Sequence, residues 1–312
     1  MEGANSTCVG PESPEAGVAP SCQGCPNAAL CASMPKGPDP DIELIGRRLS
    51  GVKSKVMVIS GKGGVGKSTL TKELAFALGR HGLEVAVVDL DVCGPSIPRL
   101  AGVRGEDAHR SAAGIEPVMI DDSVCMISMH YLLESKNEAV LLRGPRKNGV
   151  VKMFFKDVVW GGIDIMLIDT PPGTSDEHIT ASSLLQQCGG VTGAILVTTP
   201  QLVAEADVRR EVNFCQKAKI PILGIVENMS SFVCPGCGKS SVIFPSAGSC
   251  GAGERLSAEF GIPLWGKIPL DQRLMKACEE GVSLVNTCDE DTLTLKTLKL
   301  ISAKLISAAG LE

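Results

Sequence analysis

The stretch Gly61-Lys62-Gly63-Gly64-Val65-Gly66-Lys67-Ser68-Thr69 follows an apolar run at 56–60 and precedes a helical pattern at 70–78. Strand, glycine loop and helix in that order form a cradle for an anion. Glycines let backbone N–H groups turn inward around a phosphate, and the helix behind them points its positive dipole end at the same place. Lys67 can bridge terminal phosphates as a point charge, and the Ser68 hydroxyl is placed to ligate the Mg²⁺ that accompanies them. An incidental glycine-rich turn would share the composition but has no reason to share both the spacing and the strand-to-helix context.

Outward from this loop, apolar runs at 85–88, 124–128, 165–168, 194–197, 222–226 and 264–268 read as buried strands of a parallel sheet. Helical patterns at 70–80, 150–158, 179–187 and 204–217 fall between several of them. The expectation is an α/β doubly wound fold of the P-loop NTPase kind, with a single, mainly parallel sheet and ligands at the strand C-termini. The glycine- and alanine-rich stretch 104–122 reads as a surface loop. The pattern at 292–308 sets Leu295, Leu298, Ile301 and Leu305 at helical spacing, which reads as packing on the sheet rather than as a basic membrane-binding helix.

The 312 residues are 44% hydrophobic, enough for a sizeable core. Only 3% are aromatic and the net charge is -5, which argues against base stacking and against a phosphate-neutralising face, so no nucleic-acid partner is expected. No apolar run reaches membrane-spanning length, and the start lacks the pattern of a secretory or transit signal. The expected location is the cytoplasm, and also the nucleus, where thiols stay reduced; the 13 cysteines then need a reason other than disulfides.

Four of them, Cys8, Cys22, Cys25 and Cys31, lie in a segment rich in Pro, Gly, Ser and Ala that cannot bury enough surface to order itself. Thiolate binding energy can order such a chain where hydrophobic burial cannot. Zinc and an iron-sulfur cluster both accept four cysteines, and the single C-x2-C pair leans toward 4Fe-4S. The division expected is a cysteine-bearing extension, 1–52, and a nucleotide-binding domain, 53–312. In the latter, Cys234-Pro235-Gly236-Cys237 is half of a metal knuckle with no second C-x2-C to complete it. A two-fold axis through the site would turn two cysteines into four, whereas a redox dithiol would need no second copy. The other cysteines read as small buried hydrophobes. The four histidines match no ligand spacing.

Asp89 and Asp91 close the run that starts at Val85, and Asp169 closes the run before Thr170-Pro171-Pro172-Gly173. An aspartate after four apolar residues is a Walker B arrangement, able to hold Mg²⁺ directly or through water. Lys62, which a phosphate loop does not require, resembles the signature lysine of deviant Walker A ATPases, the MinD, ArsA, nitrogenase-iron-protein and Mrp/NBP group. With the D-x-D element, D-T-P-P-G-T-S-D-E-H and C-P-x-C, the chain from about residue 53 onward resembles the Mrp/NBP-type P-loop ATPases of iron-sulfur cluster assembly. The four-cysteine extension narrows the resemblance to the N-terminally extended cytosolic type.

That resemblance implies an ATPase that assembles 4Fe-4S clusters and hands them to cytosolic and nuclear apoproteins and downstream assembly factors. It implies ATP and Mg²⁺ held by Gly61 through Thr69, with Lys62 reaching a partner's nucleotide across a dimer and Lys67 on its own. Asp91 would position the attacking water, Asp89 would lie nearer the metal, and Asp169 to Gly173 would sense the γ-phosphate. Asn228 would read adenine through its amide donor and acceptor, with Pro269-Leu270-Asp271 on the base side. One cluster per chain would sit at the N-terminal cysteines, and one would bridge a dimer through Cys234 and Cys237. Partners would be a second copy, or a shorter paralogous ATPase in a heterotetramer. A MinD- or ParA-like spatial regulator, a zinc-stabilised adaptor and a nickel-insertion GTPase are the rivals. The regulator would need a basic tail or DNA-binding face, and the GTPase a His-rich site and guanine motif that the chain lacks.

Overall fold

A computed structural model describes residues 8, 15–33, 39, 41–133, 144–234, 236–237, 239–244, 251–288 and 292–312. The chain divides into two units, Met1–Leu44 and Ile45–Glu312. In the smaller one, a 3-10 turn at Pro20–Cys22 leads to a short helix at Ala28–Ser33, and Ala16, Ala19 and Cys31 are buried.

The larger unit is built on eleven strands among the described residues. They are β1 (Val52–Ile59), β2 (Val85–Asp89), β3 (Arg110–Ser111), β4 (Gly114–Ile115), β5 (Val118–Asp121), β6 (Val124–Ser128), β7 (Ile163–Asp169), β8 (Gly193–Thr198), β9 (Ile222–Val233), β10 (Ser240–Ser241) and β11 (Leu264–Leu270). Nine of them form one sheet in the order β10-β9-β8-β1-β7-β2-β6-β5, with β11 also on β9. The pairs β1–β7, β1–β8, β2–β6, β2–β7, β8–β9 and β9–β11 are parallel; β5–β6 and β9–β10 are antiparallel. Every residue of β2, β6 and β8 is buried, as continuous apolar runs covered on both faces require. The doubly wound α/β fold read from the sequence is the fold found.

The stretch 104–122 is not a loop throughout. β3 and β4 pair as a separate two-stranded ribbon, and β5 adds an antiparallel edge to the main sheet. Composition hid the alternation at Val118-Met119, of which Val118 is buried and Met119 exposed. The turn at Asp122-Ser123 brings Asp121 opposite Val124. The single sheet of the expectation is thus one main sheet and one ribbon.

The helix after the loop, Lys67–Arg80, is enclosed, and two of its charges are fully buried. Lys72 Nζ lies 2.7 Å from Glu73 Oε1 and donates to the Val282 carbonyl at 2.8 Å. Glu73 in turn accepts from Ser283 Oγ at 2.7 Å and from the N–H groups of Leu284 and Val285 at 3.2 and 3.3 Å. This adjacent pair clasps the segment leading to the last helix, Leu293–Ala309. Leu295, Leu298, Ile301 and Leu305 of that helix are buried, and Lys304 Nζ donates to the Trp265 carbonyl of β11 at 2.9 Å. No helix among the described residues is long and apolar enough to cross a membrane.

Candidate functional site

Sheet register assembles the site. Asp169, the last residue of β7, is the register partner of Val58 on β1 and of Asp89 on β2. Two carboxylates and the glycine loop therefore meet at the C-terminal ends of three adjacent strands, the place where open α/β sheets bind ligands.

The loop leaves β1 at Ser60 and enters the helix through Gly66, whose φ of 83° is left-handed. That conformation costs a side chain roughly 1–2 kcal/mol, and a Cβ there would collide with the Asn228 amide. The collision partner is part of the site: Asn228 Nδ2 donates to the Val65 carbonyl at 2.9 Å. Gly61 rests against Asp207, and Lys62, Gly63 and Gly64 are exposed at the tip. Val65 is buried and Thr69 half-buried behind them.

Lys67 Nζ and Ser68 Oγ both reach Asp169 Oδ2 at 2.7 Å. Asp169 Oδ1 accepts from Thr71 Oγ1, also at 2.7 Å. Asp89 is buried and accepts from Ser128 Oγ at 3.1 Å. Burial, then the neighbouring Asp169 charge, pushes Asp89 up to about 8, against the pull of Lys67 and Ser128. Asp91 is half-buried and also raised, first by burial, with Lys67 and the Gly94 N–H opposing. Its Oδ1 accepts from that N–H at 3.2 Å. The Ser68 hydroxyl beside the Asp169 carboxylate fits the cation of a bound nucleotide, most of whose ligands would be phosphate and water oxygens, and added positive charge there would relieve the repulsion that raises Asp89.

The segment after Asp169 is tied down at both ends. Thr170 Oγ1 donates to the Val58 carbonyl at 2.9 Å, and Gly173 N donates to the Ser60 carbonyl at 2.9 Å, with Gly173 at φ 74°. Thr174 Oγ1 then donates to Glu211 Oε1 at 3.2 Å. Glu211 is buried, and its Oε2 has no hydrogen-bond partner among the described residues. His178 is buried beside Phe214, and burial lowers its pKa to about 4. Lys147 pairs with buried Glu177 at 2.8 Å.

On the same strand as Asn228, β9 runs on into a hairpin. Cys234 N donates to the Lys239 carbonyl at 3.0 Å, and β10 pairs back on Phe232 and Val233. Cys234 is half-buried and Cys237 exposed. Backbone N–H groups of Cys237 and Gly236, and the Cys237 thiol, hydrogen-bond to the Cys234 sulfur and hold its pKa below the ordinary range. A turn that presents thiolate-stabilising N–H groups fits soft-metal or cluster ligation. A cavity of about 270 Å³ opens between this hairpin and the end of β11, lined among others by Phe232, Cys234, Pro269, Asp271 and Leu293.

In the N-terminal unit, Gly17 N donates to Cys22 Sγ at 3.3 Å, and Cys25 N donates to the Cys22 carbonyl at 3.1 Å. Cys22 and Cys25 are half-buried, Cys31 buried and Cys8 exposed. Among the described residues no three His, Cys, Asp or Glu side chains are gathered as a metal ion requires. The four-cysteine expectation thus has its residues placed but not its coordination sphere. Of the cysteines read as buried hydrophobes, Cys125 and Cys215 are buried, whereas Cys93 is exposed and Cys188, Cys278 and Cys288 are half-buried. Cys250 lies outside the described residues.

Motif reading overlooked Thr71, Ser128, Thr174 and Glu211. Thr71 alone had a local signal, standing three and four residues after Ser68 and Lys67 on the same helix face.

A family model described as ParA, the NUBPL iron-transfer P-loop NTPase, matches residues 51–306. A nucleotide-binding protein from Archaeoglobus fulgidus, solved in complex with ADP and with cobalt, is 34% identical, with a TM-score of 0.68 over 80% of this chain and 94% of that one. The septum site-determining protein MinD from Pyrococcus horikoshii, solved with Mg-ADP, is 25% identical, with a TM-score of 0.58 over 83% and 98%. A ParA family ATPase from Chlorobium tepidum shares the fold at 16% identity, with a TM-score of 0.53 over 80% and 99%.

Proposed function

This chain belongs to the ParA family of NUBPL iron-transfer P-loop NTPases, and from that premise we propose that it is an ATP-driven scaffold that assembles 4Fe-4S clusters and passes them to apoproteins. The observation that carries the reading is the double duty of β9. Asn228 on this strand touches the phosphate loop through Val65, and the strand ends in the Cys234/Cys237 hairpin. The residue that touches the phosphate loop and the two thiols proposed to hold the cargo therefore lie on one continuous strand and its hairpin.

In the proposed cycle, ATP enters over Gly61 to Thr69, and Lys67 and Ser68 turn from Asp169 to the phosphates and their cation. Mg²⁺ supplies charge neutralisation and orients the phosphate oxygens. Asp91, with Oδ1 fixed by Gly94, orients the attacking water, and Asp89 supports the cation side. Lys62, exposed at the loop tip, reaches the nucleotide of a second subunit. Asn228 exchanges the Val65 carbonyl for the adenine edge, next to Pro269, Leu270 and Asp271. On hydrolysis the 169–173 segment shifts, and strain passes to the hairpin, changing how tightly a shared cluster is held. Cys8, Cys22, Cys25 and Cys31 would hold a second cluster. The partners proposed are a second copy or a shorter paralogue, and recipient apoproteins of the cytosol and nucleus.

The test is anaerobic reconstitution with iron and sulfide, with iron, sulfide and zinc measured per chain. About six irons per chain are expected, one full four-iron cluster plus half of a shared one. The Cys234→Ala/Cys237→Ala variant should lose about a third of that iron together with cluster-dependent dimerisation. Lys67→Ala should slow transfer to an apoprotein. Zinc without sulfide would replace this reading with that of a nucleotide-dependent adaptor.

A further inference from the structure

We propose that Thr71 is a positioning residue, the fixed point that orients the Asp169 carboxylate toward the divalent cation of a bound nucleotide. This deepens the nucleotide half of the function above and rests on it, but not on the cluster half.

Three side chains hold Asp169 in this structure, and they are not equivalent. Lys67 and Ser68 both contact Oδ2, and both belong to the loop that receives the phosphates. When they turn to the nucleotide, they leave Asp169. Thr71 contacts the other oxygen, Oδ1, at 2.7 Å from the fifth residue of the helix, one turn behind Lys67, where it is completely buried. A residue so enclosed cannot follow a ligand. Its hydroxyl also lies 3.0 Å from the Lys67 carbonyl, but an ionised carboxylate at the shorter distance is the stronger acceptor.

Once Lys67 and Ser68 are engaged elsewhere, the Thr71 hydroxyl sets the carboxylate's rotation and leaves Oδ2 facing the Ser68 side. The need for such a prop is electrostatic. Asp89 is the register partner of Asp169 on the adjacent strand, so the two carboxyl groups leave the sheet side by side, and an Asp169 carboxylate free to turn would have no fixed orientation toward a cation held there. Groups that hydrogen-bond a metal-facing carboxylate from behind typically control metal affinity about 10- to 100-fold.

The experiment is a Mn²⁺ titration followed by electron paramagnetic resonance on ADP-loaded full-length protein, beside metal-free ADP binding in chelator. Thr71→Val, which keeps the shape and removes the hydroxyl, should weaken Mn²⁺ binding about 10- to 100-fold. Its metal-free ADP affinity should stay within about twofold of the parent, and Thr71→Ser should restore Mn²⁺ binding to within about threefold. If Thr71→Val fails to fold, Thr71→Ala against Thr71→Ser makes the same comparison. Unchanged Mn²⁺ affinity overturns the proposal, as does an equal loss of metal-free ADP binding or failure of serine to rescue. A parent that binds ADP but no Mn²⁺ overturns this inference alone. A parent that binds no ADP overturns the nucleotide reading as well.

Discussion

Glu211 shows how one buried side chain links the catalytic end of the sheet to solution conditions. Burial first, with Asp207 adding and the Thr174 hydroxyl opposing, pushes its pKa up to about 7 from an ordinary 4.5. A carboxyl that holds its proton more tightly when folded contributes stability that is full below the unfolded value and is lost as pH rises through the folded one. The window is therefore from about 4.5 to 7. Between pH 5 and 8 the parent should lose on the order of 2 kcal/mol more unfolding free energy than Glu211→Gln. Urea unfolding of both proteins at the two pH values measures this, and parallel slopes would refute it. Thr174 follows directly on the segment proposed to sense hydrolysis, so ionised Glu211 should also hold that segment differently. None of this was legible beforehand. Lys67, Ser68, Asp89, Asp91 and Asp169 stand in short motifs whose spacing carries the chemistry, whereas Thr174 and Glu211 are 37 positions apart, and Thr71 and Asp169 are 98 apart. Only the fold brings such partners together.

Among the elements, the Lys67–Arg80 helix departs most from a simple amphipathic reading. Lys72 and Glu73 would ordinarily mark a solvated face, yet both are fully buried and bind the backbone and hydroxyl of 282–285. Removing one member of a buried pair leaves the other uncompensated. Glu73→Ala should therefore cost about 3–5 kcal/mol by urea unfolding, and the paired change Lys72→Met/Glu73→Leu should cost less than either single change. A double variant worse than Glu73→Ala would show that the pair stabilises the fold outright. Periodicity did identify the long helices and placed the last, Leu293–Ala309, to within a residue at each end, but it began four others two to six residues late: at 70, 150, 179 and 204, where the elements start at Lys67, Gly144, Asp176 and Leu202. The first turns at Lys67 and Asp176 are polar and carry no apolar signal, whereas Leu202 and Val203 are apolar but exposed, so the buried periodicity starts behind them. The β5 edge was missed for a related reason, since a four-residue half-exposed strand bounded by charged residues has little pattern to show.

At the scale of the molecule, the succession of strands along the chain was written in the apolar runs, and the candidate site in the ends of those runs, but the order of the strands within the sheet was not. What the runs could not show was where the sheet stops. β11 pairs with β9 alone among the described residues, so one side of its backbone lies outside the ladder. The Lys304 ammonium occupies the Trp265 carbonyl on this strand from the last helix. A strand margin outside the ladder is a template on which another chain can grow, and a lysine placed at it is one of the ways such growth is blocked. Lys304→Met should therefore cost only about 1 kcal/mol in stability. Light scattering over days of storage should nonetheless show it forming polymers at concentrations where the parent stays dispersed. A single side chain outside the candidate site would then govern colloidal lifetime, and any modification that neutralised Lys304 would shorten the time the protein survives in a crowded solution.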